Sequence, residues 1–120
     1  MADKIFSSDR TFQVWSYIVS HKQLIIRSPK SERFATRIDV LFKGVSHIDL
    51  DTEFNGLIIS TADPASVDFL RTGMYAHDEV KIFRLECNRN SGYVTAVTCI
   101  LCEDDKEYYD ESSIVSKDHL

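Results

Sequence analysis

The chain has 120 residues, 43% of them hydrophobic, 11% aromatic and 28% charged. That is the size of one domain with enough apolar material for a real core, which excludes a disordered or fibrous chain. Its formal net charge of −5 argues against a general nucleic-acid binder, because phosphate affinity rests on an excess of Lys and Arg.

Residues 1–10 lack the apolar run of a secretory signal, and no stretch approaches the ~20 apolar residues of a membrane-spanning helix. These features predict a soluble cytoplasmic protein. Cys87, Cys99 and Cys102 form an odd set, a poor disulfide framework and better suited to free thiols that behave as small buried hydrophobes.

Period-two patterning dominates the chain. Residues 12–20 (FQVWSYIVS) are β-branched and aromatic, with Phe12, Val14 and Ile18 on one face and Trp15, Tyr17 and Val19 on the other. Apolar groups on both faces predict a strand covered on both sides, or one that wraps a barrel. His21 and Lys22 connect it to a second strand over 23–28, and Pro29 opens a turn. In the third strand Ile38, Val40 and Phe42 alternate with Arg37, Asp39 and Lys43, Leu41 being the exception. Gly44 marks a bulge or bend before a fourth strand over 45–50. Residues 51–56 read as a turn, and 57–61 (LIIST) as a fifth strand.

Asp63 as N-cap, Pro64 at the first helical position and Gly73 at the end predict a short helix over about 64–72. Two more strands follow, over 80–87 and 93–101, joined by a hairpin loop of Asn, Arg, Ser and Gly over 88–92. About seven antiparallel strands with one inserted helix predict a mainly β fold, a small barrel or two-layer sandwich, with an α+β arrangement as the alternative. The count and order of elements over 12–101 are loosely similar to a pleckstrin-homology-like barrel. That resemblance implies an amphipathic helix plugging one mouth. The chain departs from it there, since 104–117 offers only Tyr108, Ile114 and Val115 at uneven spacing.

The charge divides the chain into a balanced body over 1–102 and an acidic C-terminal tail over 103–120. The tail holds seven acids and two bases, so the entire net charge lies there. Such a block is ordinarily solvated.

Four constellations carry candidate chemistry. His47, Asp49 and Asp51 share one face of the fourth strand and are residue types that bind a divalent cation or serve as an acid–base pair. Alternation with Ile48 and Leu50 accounts for them equally as a solvated face. Trp15 and Tyr17, if exposed, form an aromatic platform for a partner. Arg27, Lys30, Arg33 and Arg37 form the one local basic cluster, able to receive an anionic ligand or the protein's own acidic tail. Cys99 and Cys102 have CxxC spacing, but inside a strand they fall on opposite faces, whereas a metal knuckle needs a turn. Cys87 is expected near Cys99 across the late hairpin.

No Gly-rich phosphate loop or nucleophile motif occurs. The leading expectation is therefore a non-enzymatic binding or interaction domain that needs no cofactor. It would contact a protein partner or small anionic ligand, but not nucleic acid, through the aromatic face or the basic loop; homo-oligomers are permitted. One alternative is a metal-assisted hydrolase or lyase using His47, Asp49 and Asp51. Another is a small acidic inhibitor of the immunity type.

Overall fold

A computed structural model of the chain describes residues 4–63, 65, 80–88, 90–107 and 109–112. It is mainly β: eight antiparallel strands form one sheet in the order β4-β7-β6-β5-β1-β2-β3-β8. The strands are β1 (Lys4–Ile18), β2 (Gln23–Ser28), β3 (Arg37–Lys43), β4 (His47–Asp49), β5 (Glu53–Ala62), β6 (Lys81–Glu86), β7 (Ser91–Ala96) and β8 (Thr98–Asp104). Among the described residues the sheet does not close into a barrel, nor are there two separate sheets as in a sandwich. Among the described residues no helix is long and apolar enough to cross a membrane. The expected helix over 64–72 lies outside the described residues except for Ala65, whose N–H donates to Asp63 Oδ1 at 3.0 Å.

The sheet has an inner and an outer face because strand side chains alternate. Phe12, Leu24, Ile26, Val40, Phe42, Phe54, Leu57, Ile59, Phe83, Leu85 and Val94 come from six strands and pack into one buried cluster on the inner face. Burying each such side chain contributes roughly 1.5–3 kcal/mol. A smaller cluster, Ile25 and Leu41 with Trp15, Ile18, Ile100 and Cys102 against them, occupies the outer face of β1, β2, β3 and β8. Leu41 is thus no exception to the alternation of β3; it belongs to a second buried layer.

Several boundaries differ from the sequence expectation, each for a tertiary reason. β1 begins at Lys4 rather than residue 12, because β5 pairs with it from Lys4 opposite Ser60 to Gln13 opposite Glu53. β5 correspondingly starts at Glu53, in the expected turn. The expected strand over 93–101 is two strands. β7 pairs with β6 and β4, the chain bends at Val97, and β8 pairs with β3 on the opposite side of the sheet. That bend packs on Gly44, where β3 leaves for β4. Val97 N–H donates to the Lys43 carbonyl at 2.9 Å and Ser46 N–H to the Thr95 carbonyl at 2.8 Å, which draws the two ends of the sheet order together. Gly44 has φ +66°, and a Cβ there would stand 2.6 Å from Val97 Cγ2, so the corner needs glycine on both counts.

Gly92 is required for space alone. A Cβ on it would stand 2.6 Å from both the Asp49 carbonyl oxygen and Leu50 Cδ2. Gly92→Ala is expected to push β4 off β7 and lower stability by about 1–3 kcal/mol. A lower urea midpoint at unchanged m-value would register it.

Candidate functional site

The basic cluster meets the chain's own acids. Arg27 on β2 stands directly opposite Asp39 on β3, and Arg37 directly opposite Asp104 on β8. Period two puts Arg37 and Asp39 on the same outer face, so pairing of three strands assembles a ladder of two arginines and two aspartates. Arg27 donates from Nε to Asp39 Oδ1 at 2.7 Å and from Nη2 to Oδ2 at 3.1 Å. Both side chains are wholly buried. The Arg37 Nη2 lies 3.9 Å from Asp39 Oδ2, linking the two pairs.

Arg37 is fully buried and makes five hydrogen bonds. Nε and Nη2 hold the Asp104 carboxylate at 3.0 and 2.9 Å. Nη1 donates to the carbonyls of Glu107 and Asp110 at 2.9 and 2.8 Å, and Nη2 to that of Glu111 at 3.3 Å. A guanidinium carries five N–H donors, so none is left over. The receiving segment, described over 105–107 and 109–112, forms a strap on the outer face. Its fold is locally determined. Lys106 N–H donates to Asp104 Oδ1 at 3.0 Å, Asp110 N–H to the Glu107 carbonyl at 3.1 Å, and Glu107 N–H to Asp110 Oδ2 at 2.8 Å. These are the Asp-stabilised turns that such sequences favour.

The other two basic residues pair at the rim, where ion pairs contribute little. Lys30 Nζ sits 3.1 Å from Glu107 Oε1, and Arg33 Nη2 is 3.7 Å from Asp9 Oδ2. Arg10, unremarked in the sequence, ties the loop before β3 to β8. It donates to the Thr36 carbonyl and Oγ1, each at 2.9 Å, while Thr36 Oγ1 donates to Glu103 Oε2 at 2.6 Å. An open basic loop is therefore not what Arg27 and Arg37 form: both are inside, and Arg37 holds the acidic tail.

Trp15 and Tyr17 do not share a face. The register between β1 and β2 shifts between Val14 and Ser16, a bulge that breaks the alternation. Trp15 joins the outer cluster, with Arg27 Cζ 4.7 Å from its ring centroid and the Tyr109 ring 5.8 Å away. Tyr17 stands opposite Leu24, on the inner side, and is half-exposed.

His47, Asp49 and Asp51 are divided. Asp49 and Asp51 line a cleft of about 460 Å³ between the β4–β5 turn and the β6–β7 hairpin, while His47, opposite Thr95, does not. The cleft also holds Leu50, Phe54, Leu85, Cys87 and Asn90. Asn90 Nδ2 donates to Asp51 Oδ2 at 3.2 Å across it, and Cys87 Sγ donates to the Asn90 carbonyl at 3.2 Å. Among the described residues, no three His, Cys, Asp or Glu side chains are grouped as metal ligands.

The three cysteines are free thiols. Cys99 faces the inner core opposite Phe42 and Cys102 the outer cluster opposite Asp39, so the CxxC pair does lie on opposite faces. Cys87 does not face Cys99 across a hairpin, because Cys99 belongs to β8 and the hairpin is β6–β7. Burial pushes the Cys99 thiol up to about 12.

The sequence reading missed Asp39 and Asp104 as partners in a buried ladder. The available signal was Leu41, Ile25 and Ile100, apolar side chains on the same face as these charges. No protein family, curated protein or solved structure matches the chain.

Arg37→Met removes the guanidinium from Asp104 and the donor from three strap carbonyls, and is expected to cost about 3–5 kcal/mol. Arg37→Met with Asp104→Leu should cost less than the sum of the single changes, read from urea unfolding. The Cys99 thiol adds a pH dependence. Below its ordinary value of 9.0 both folded and unfolded chains keep the proton; between 9.0 and about 12 only the unfolded chain releases it. Stability is therefore expected to fall across that window, and Cys99→Ser should flatten this part of the curve measured by chemical denaturation.

Proposed function

We propose that this protein is a non-enzymatic interaction domain that presents its acidic strap to a basic surface of a protein partner. The observation that carries this reading is the way Arg37 grips the strap, by the main-chain carbonyls of Glu107, Asp110 and Glu111. A segment gripped chiefly through its backbone leaves its side chains at the surface, where Glu107 also pairs with Lys30 and Asp110 also accepts the Glu107 N–H. Glu103, Asp105, Glu107, Asp110 and Glu111 are all exposed, and Tyr109, at 82% exposure, stands among them over Trp15.

Three physical effects favour this use. A strap already ordered on the domain surrenders less conformational entropy on binding than a free acidic tail would. Concentrating the net charge of the chain in one region steers encounter with a basic partner. A large exposed tyrosine amid charges is the residue type that contributes most at the centre of interfaces. This reading joins the interaction-domain expectation to that of a small acidic inhibitor. The basic loop serves it indirectly, by fastening the strap.

The test is a photo-crosslinker, p-benzoylphenylalanine, in place of Tyr109 in cells that make the protein. It is expected to attach to a protein with a basic surface. Binding of that partner by the purified native protein should weaken as salt rises, and Asp105→Lys or Tyr109→Ala should reduce affinity about tenfold. A partner bound equally by both variants, or with no response to salt, overturns the proposal.

A further inference from the structure

We infer that the edge of β8 facing away from β3 is a homodimer interface. Two copies of this chain pair antiparallel through residues 98–104 about a two-fold axis, continuing one sheet into the other. The inference rests on the edge of the sheet and is independent of the strap reading above.

β8 is the last strand in the sheet order, and among the described residues it has a strand beside it on one side only. Its exposure agrees. Six of the seven residues of β3 are buried, whereas none of the seven in β8 is fully so. A strand directs alternate N–H and C=O groups to each side, so a terminal strand offers a row of them to any further strand. Sheets that stay single blunt such edges with proline, lysine, a bulge or brevity. β4, the other terminal strand, is three residues long. β8 has seven, pairs with β3 without a shift in register and carries neither Pro nor Lys.

The described chain beyond β8 does not cross this edge. From Asp104 the strap turns back over the outer face, to Arg37 on β3 and Trp15 on β1. The two acids that end β8 are engaged on the same side: Arg37 holds Asp104, and Glu103 Oε2 accepts from Thr36 Oγ1 at 2.6 Å. An incoming strand therefore meets the apolar run before them. Val97 and Leu101 are exposed, and Ile100 and Cys102 belong to the outer apolar cluster, which a further strand would extend.

The occupant that fits is a second β8. With antiparallel pairing and full overlap, Leu101 meets Leu101 at the axis, Ile100 meets Cys102, Cys99 meets Glu103 and Thr98 meets Asp104. No like charges stand opposite one another, as stable cross-strand pairing requires. Parallel pairing would instead set Glu103 and Asp104 against their own copies. The antiparallel arrangement also sends the two straps to opposite ends of the interface, which keeps the acidic regions apart. A patch that pairs with itself makes the isologous contact that closes at two subunits. One short strand a side is a small interface, of the size that associates reversibly.

The experiment is sedimentation equilibrium of the full chain, with amide hydrogen exchange at low and high protein concentration. The mass is expected to rise from one chain toward two between about 10 µM and 1 mM. Amides within 98–102 should exchange about tenfold more slowly at the higher concentration. Leu101→Lys sets two lysines opposite each other at the axis and should weaken the dimer about tenfold, while mixing it with Leu101→Glu should restore a mixed dimer. Each chain carries a net charge of −5, so salt should leave the dimer intact or strengthen it, the reverse of its effect on strap binding. The wild-type measurements decide the matter even if a variant folds poorly. A chain that stays monomeric at about 1 mM, or a dimer whose exchange within 98–102 is independent of concentration, overturns the inference. So does a dimer that salt dissociates or that Tyr109→Ala abolishes, since that contact belongs to the strap.

Discussion

A positive charge with no exposure to water organises the outer face of this protein. Removing a guanidinium from water costs several kcal/mol, and only a complete set of partners returns that energy. Arg37 obtains the set from elements distant in sequence: the Asp104 carboxylate across the β3–β8 pairing and three carbonyls from the strap beyond β8. Arg27 and Asp39 extend the ladder to β2. The pairing of three strands, the path of the strap and the seating of Tyr109 over Trp15 are therefore mutually dependent. Loss of any one leaves a buried charge or a buried carboxylate with part of its shell missing.

The ladder stabilises geometry more than it stabilises the fold. The inner core supplies most of the burial, with aromatic and branched side chains from six strands. An apolar outer layer of similar volume would pack against Ile25 and Leu41 without the desolvation cost. What the charged version adds is direction: a planar fork accepts oxygens only along its N–H vectors, so the strap can dock in one arrangement. That is why a chain with all of its net charge in one terminal region can display that charge on an ordered surface.

The corner at Gly44 and Val97 does the corresponding work for the inner face. It carries the chain from β3 to β4 and from β7 to β8, the two connections between opposite ends of the sheet order. β4 is thereby delivered against β7, and the turn that follows it becomes one wall of the cleft. Asp49 and Asp51 gain their setting from this route. His47, two residues earlier on the same strand, does not line the cleft, so the HxDxD pattern does not survive as a unit.

Alternation along β3 was legible in the sequence, and with it the inner positions Ile38, Val40 and Phe42. The opposite facing of Cys99 and Cys102, the bend at Gly44 and the option that the basic cluster meets the tail were legible too. These follow from pleating, from glycine's freedom at positive φ and from charge balance, all local or compositional properties. Other features depended on contacts between distant segments. The bulge between Val14 and Ser16 separates Trp15 from Tyr17 to fit β2, and the length of β1 answers to β5. Whether a polar face is wet or dry depends on what lies over it. A strand's own residues state which way Arg37 and Asp39 point, whereas their cover comes from a segment about seventy residues later whose placement only the assembled sheet decides.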